Sequence, residues 1–151
     1  MIKRIDDTNK AIIKQLQDGR KPFSAIAEEL GITENTVRAR VNKLVDEGVL
    51  SISGEIDPEK IPGLEVVFMG IKLSTMDLQE KAKEFLNLRG VVSVAVVTGR
   101  YDLIAQLVLC EEENLSLLQF FSSELKKVSD VLSVETYVVY RSFNLRVPYI
   151  L

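Results

Sequence analysis

Along the first fifty residues, apolar positions recur every three or four residues in three short blocks. Ile5, Ile12, Ile13 and Leu16 form the first, opened by Asp6 and Asp7 and closed by Gly19. That pattern predicts a helix of roughly three turns. Phe23–Leu44, FSAIAEELGITENTVRARVNKL, carries the other two. Ile26, Ala27 and Leu30 stripe a short helix that Gly31 stops in a left-handed conformation. Thr33 then caps a longer helix whose apolar positions are Val37, Val41, Leu44 and Val45. The small Ala27 lets two helices cross steeply. Short helix, glycine, cap and longer helix together predict a helix-turn-helix, which holds its second helix out for a DNA major groove.

At 100° per residue, Asn35, Ala39 and Asp46 lie opposite the apolar face of that second helix. Thr36, Asn42 and Lys43 lie beside them, and Arg38 and Arg40 project to either flank. In a groove, Asn35, Thr36 and Ala39 would meet base edges, while Arg38, Arg40 and Lys43 would meet phosphates. A solvated helix in an all-helical core carries similar charges. The joint occurrence of short helix, glycine and cap favours DNA.

After residue 50 the pattern changes. Ser51–Gly63, SISGEIDPEKIPG, holds two Ser, two Gly and two Pro, a linker composition with room for a short strand over Leu50–Ile56. Strand patterns follow at Glu65–Leu73, Val91–Thr98, Asp102–Leu109 and Val131–Tyr140. Between them lie two helical patterns. Asp77 with Glu80 opens one, with Leu78, Ala82, Phe85 and Leu86 on one face. Asn114 caps the other, with Leu117, Phe121, Leu125 and Val128 aligned. The order βαββαβ predicts a ferredoxin-like sheet with both helices on one face. Strands as apolar as VVSVAVV need cover on the other face, so sheet-to-sheet dimerisation is expected. The end, Arg141–Leu151, is expected to pack on a neighbour or fray.

The expected class is thus α+β: a helix-turn-helix (winged-helix-like) head over 1–50, a hinge over 51–63, and a ferredoxin-like βαββαβ domain over 64–151. Charge adds a constraint. The head carries nine Lys/Arg against eight Asp/Glu, the remainder ten against fourteen. Bulk electrostatics therefore cannot hold the head on DNA, and two paired heads must supply much of the affinity. The chain has no histidine and a single cysteine, Cys110, which rules out His-based triads, His or Cys-rich metal sites and an intramolecular disulfide. No cofactor or metal is expected. Cys110 reads as a buried strand residue in a reducing cytosol. Nothing approaches the ~20 apolar residues of a membrane span, and MIKRIDD lacks a signal peptide's apolar core. A cytoplasmic location follows.

IDDTNKAII at the start, RKPFSAIAEELGIT with VRARVNKLVDEGVL, EIDPEKI, TGRYDL at 98–103 and VLSVETYVV at 131–139 occur here in order. In that order and spacing the chain resembles the feast/famine (Lrp/AsnC) family of transcriptional regulators, with Asn9 where an aspartate is usual. The resemblance implies a homo-oligomer that binds a pseudo-palindromic duplex and senses a small molecule, usually an amino acid, at an interface between subunits. Carried over residue by residue, the effector site comprises Thr98, Gly99, Tyr101 and Asp102 with Tyr137 and Val138. Backbone N–H groups around Gly99 would receive a carboxylate and Asp102 an ammonium group. The same residues also suit an ordinary hairpin turn. Arg100 reads as a solvated arginine within reach of an effector carboxylate. A haem-biosynthetic decarboxylase branch resembles the same architecture. Its chemistry leans on histidine, so its absence here points away from an enzyme. A ligand-binding oligomer with a non-functional head is the remaining alternative.

Overall fold

The computed structural model describes residues 5–151, in two compact units that meet between Ser53 and Gly54. In the first unit, α1 (Asp7–Gln15) starts where the Asp6 carboxylate accepts the Asn9 N–H. Helix α2 (Phe23–Leu30) ends at Gly31 with φ 65°. Helix α3 (Glu34–Asp46) starts where the Thr33 hydroxyl accepts the Thr36 N–H. Both helix ends of the turn are thus fixed by residues legible in the sequence, Gly31 through its left-handed backbone and Thr33 through its hydroxyl. Ile12, Ile26, Ala27, Val37 and Val41 form the core, and Ala27 sits buried within it. Val45, expected on the apolar face, is 42 % exposed. Leu44 already fills the core there, so the next residue turns 100° away.

The second unit opens with β1 (Glu55–Ile56), shorter than the expected strand, and a 3₁₀ turn over Pro58–Lys60. A four-stranded antiparallel sheet follows, in the order β3 (Val91–Val96), β4 (Leu103–Cys110), β2 (Leu64–Leu73), β5 (Val131–Val138). Helix α4 (Leu78–Leu86) buries Phe85 against one face. Alternation places Val67, Met69 and Ile71 of β2 and Leu103, Ala105 and Leu107 of β4 in that same core. Cys110 is buried.

Three helix details differ from the sequence reading. Asp77 precedes α4 without a side-chain cap, so the Asp77/Glu80 box does not form. Its N–H is held by the Thr75 hydroxyl, and its ψ of 53° is not the extended geometry a cap requires. Leu86 is half exposed, whereas Lys81 is buried and bonded to Glu84, Ser129 and Asp130. Asn114 does not cap the second helix. It takes φ 52° after a 3₁₀ turn, and Ser116 forms the capping box with Gln119.

Helix α5 (Leu117–Gln119) widens into a π turn over Phe120–Glu124 and tightens to 3₁₀ over Leu125–Lys127. Phe120, at the start of the π turn, is fully buried in the core, and Leu117, Phe121 and Leu125 pack against that core partly buried. The chain end is also ordered by its own unit. Strand β6 (Val147–Pro148) pairs with β1, and fully buried Val147 packs with Val66 and Val108 on the sheet face away from the helices. Part of the face expected to await a partner is therefore covered intramolecularly.

Candidate functional site

On α3, Asn35 and Ala39 are exposed and Thr36 is half-buried, its hydroxyl 2.8 Å from that of Thr33. Thr36 thus contributes to the helix start and offers less of its hydroxyl to a groove. Arg38 reaches back to Glu34 at 2.6 Å and lies over the Phe23 ring, 5.3 Å from its centroid. Arg40 donates to Asp6 at 2.7 Å and to Asn9 at 2.9 Å, joining α3 to the start of α1. Lys43 stands 4.0 Å from Glu47. The Arg40 guanidinium and the Asn9 N–H hold the Asp6 carboxyl below its ordinary range.

In the second unit, the chain between β3 and β4 turns at Gly99, whose φ of 130° favours glycine. Beyond it the chain is clamped to β2. Asp102 N–H donates to the Ile71 carbonyl, and the Asp102 carboxylate accepts from Leu73 N–H and Lys72 Nζ, each at 2.8 Å. Lys72 first, then the Leu73 N–H, pushes the Asp102 pKa down. The Tyr101 hydroxyl donates to Glu135 and lies 2.8 Å from the Tyr137 hydroxyl. That contact lowers the Glu135 pKa and raises that of Tyr101. Arg100 pairs with Glu135 at 3.0 Å. Beside this network lies an open cavity of about 360 Å³ lined by Lys72, Arg100, Tyr101, Ser133, Val134 and Glu135.

Of the six carried-over residues, Tyr101, Asp102 and Tyr137 come together here. Thr98 and Gly99 are exposed on the turn. Val138 pairs with Val67, a core residue, and so lies on the opposite face from Tyr137. Three participants were not anticipated. Glu135 sits two residues before Tyr137, so strand alternation alone would have found it. Lys72 and Gly70 enter only through the register, in which Gly70 stands opposite Glu135 and Lys72 opposite Ser133.

Residues 5–45 match the model of the AsnC-type helix-turn-helix domain, and residues 66–148 match that of the Lrp/AsnC ligand-binding domain. The chain belongs to the Lrp/AsnC family. It is a DNA-binding transcriptional regulator with a ligand-binding domain. An HTH-type transcriptional regulator of Pyrococcus abyssi is 32 % identical over 139 residues, covering 90 % of this chain and 86 % of its own. The regulator LysM of Sulfurisphaera tokodaii is 28 % identical, covering 91 % and 96 %. Escherichia coli AsnC shares the fold at TM-score 0.71 and 20 % identity, covering 95 % of this chain and 97 % of that one. A Neisseria meningitidis regulator, solved as a complex with L-Met, superposes at TM-score 0.70 and 18 % identity, covering 98 % and 96 %. Among the described residues of this Lrp/AsnC regulator, no helix is long and apolar enough to cross a membrane.

The depressed Asp102 pKa sets an acid limit on the ligand-binding domain. A carboxyl whose folded pKa is lowered contributes its stability above the unfolded pKa and loses it as pH falls through the folded one. Wild-type stability should therefore drop on acidification below about pH 4. Asp102→Asn should be less stable at neutral pH and show a shallower acid limb in denaturant titrations. Parallel limbs would show that the Asp102–Lys72 clamp contributes nothing.

Proposed function

We propose that this regulator senses an amino acid at the Lys72–Asp102 and Arg100–Glu135 cavity and reads a pseudo-palindromic operator as a homo-oligomer. The carrying observation is one small opening lined by two cations, Lys72 and Arg100, the Glu135 carboxylate and the Tyr101 phenol, with Arg100 paired to Glu135 and Lys72 paired to Asp102. A zwitterion matches that array. Its carboxylate would take Arg100, exposed at the rim, and the Gly99 backbone, and its ammonium would take Glu135. Asp102 is spoken for by Lys72 and the Leu73 N–H, so it serves as the brace of the site. The L-Met complex of the Neisseria meningitidis regulator lends support, since that protein has the same fold.

The head occupies 1–50, and of the segment 51–63 the stretch before Gly54 serves as the hinge while β1 and the 3₁₀ turn belong to the sensing domain that runs on to 151; the protein acts in the cytoplasm. Exposed Ala95 and Ile104 stand opposite each other on the sheet face that β6 covers only in part. A second copy packed there would complete an apolar layer and pair two heads. Paired recognition helices read half-sites about 34–36 Å apart, or a multiple of that. An effector that favours one assembly over another changes which operators both heads can reach.

Calorimetric titration with each of the common amino acids, alongside light scattering, tests both parts. One amino acid should bind, and Glu135→Gln should weaken it about tenfold, the cost of losing a charged hydrogen-bond partner. Binding of none at millimolar concentration would remove the sensing role. A monomer at every concentration would remove the paired-head reading.

A further inference from the structure

The cations of the recognition helix are already neutralised within the head. Arg38 pairs with Glu34 at 2.6 Å, Arg40 with Asp6 at 2.7 Å, and Lys43 approaches Glu47 at 4.0 Å. The first two are side chain to side chain at full hydrogen-bonding distance, and Arg40 is held by Asn9 as well. Arg38 and Glu34 are both about half exposed, at 55 % and 45 %, so both face the solvent a duplex would displace. The cations that the recognition helix offers to phosphate are thus the ones held by carboxylates of the same unit.

We propose that Glu34 and Asp6 are specificity-determining residues, which suppress non-specific DNA binding by occupying Arg38 and Arg40 until a correct sequence supplies further contacts. The inference rests on the reading that Arg38 and Arg40 meet phosphates. Its physics is an exchange. A free arginine that binds a phosphate releases a counterion from the DNA, and this release drives non-specific association. An arginine that must leave a carboxylate bares that carboxylate, which takes up a cation from solution in turn. The two ion movements offset each other. The bared carboxylate also faces the phosphates and repels them. On random DNA nothing compensates, so affinity stays low. On an operator, hydrogen bonds and apolar contacts to base edges add free energy that carries little salt dependence. The ratio of specific to non-specific affinity rises, even though absolute affinity falls.

Asp46 serves as the internal control. It lies on the same helix, and it pairs with no cation among the described residues. Asp46→Asn removes the same unit of charge as Glu34→Gln or Asp6→Asn but frees no arginine. Asparagine caps helices as well as aspartate does, so Asp6→Asn preserves the start of α1. Circular dichroism melts establish that each variant is folded.

The experiment is fluorescence anisotropy of the full chain with a mixed-sequence duplex of about three helical turns, at a series of salt concentrations. Glu34→Gln and Asp6→Asn should each bind about two- to fivefold more tightly at low salt, the range expected for releasing one exposed ion pair. Each should steepen the plot of log affinity against log salt by about 0.9 per DNA-bound head. Asp46→Asn should change the slope by less than half as much. If wild type binds and the Glu34 and Asp6 variants match it in affinity and slope, the inference fails while the DNA reading stands. An equal response from Asp46→Asn also overturns it, because bulk charge then suffices. If wild type does not bind but the two variants do, the inference is supported in its strongest form. If neither wild type nor any variant binds, both the inference and the phosphate reading fall.

Discussion

Ile26→Ala abolishes DNA binding while leaving effector binding intact. Ile26 is fully buried at the centre of the head, among Ile12, Ala27, Val37 and Val41, with Leu16, Phe23, Leu30 and Ile32 around them. Removing three carbons there leaves a cavity that three short helices cannot close. Such truncations cost about 2–5 kcal/mol. A core of this size rarely supplies more than about 3–5 kcal/mol in all, so most of the head population unfolds. The sheet domain has its own core around Phe85, Phe120 and Leu107 and loses nothing by the change. Calorimetry should show the head's transition lost or shifted far down and the sheet domain's transition in place. Anisotropy should show no duplex binding at concentrations that saturate wild type. A variant that binds like wild type, or one that loses both transitions together, would refute two separately cored units.

Gly70→Ala weakens effector binding at least tenfold with little change in stability. A methyl group at position 70 would lie 2.7 Å from three atoms of the Tyr101 ring. Carbon atoms do not approach that closely, and Tyr101 is the movable partner, since the β2 backbone is paired on both sides through Ile104 and Glu135. The ring must therefore lift, and its hydroxyl leaves Glu135 and Tyr137. Glu135 then loses the contact that fixes it beside Arg100. Alanine is otherwise at least as compatible with a strand as glycine, so the melting temperature should move by only a few degrees. Tyr101→Phe separates the two causes, because it keeps the ring and removes the hydroxyl. Effector affinity should fall in both variants. Wild-type affinity in Gly70→Ala would show that the seat of Tyr101 on β2 plays no part in the site.

The head was almost wholly legible in the sequence, and the reason is local. Asp6, Gly31 and Thr33 act on backbone groups within a few residues of themselves, and helical spacing alone put Val37, Val41 and Leu44 inside. The ferredoxin-like order was legible for the same reason, from alternation and breaks in period. The second helix of that domain was not. Asn114 and Ser116 are both competent caps, but Asn114 takes a left-handed conformation to close the turn that brings Leu115 back to Cys110, which leaves the extended Ser116 as the cap. The π turn then brought Phe120 fully into the core beside Phe121, which packs against it partly buried, an addition the helical spacing did not show.

Sequence by itself determined what each short stretch can do: where helices start and stop, which strand faces are apolar, and which chemistry a chain without histidine lacks. Tertiary structure alone decided which charges far apart in the chain meet. The pairs Arg40–Asp6 and Lys72–Asp102 span 34 and 30 residues, and the seat of Tyr101 on Gly70 depends on the register of β2 with its neighbours. Ion pairs and ring contacts form between groups a few ångströms apart, and the distance between two such groups is fixed by how elements pack. The sequence supplied Arg38 and Arg40 as cations for DNA; the folded head showed each of them already held by a carboxylate.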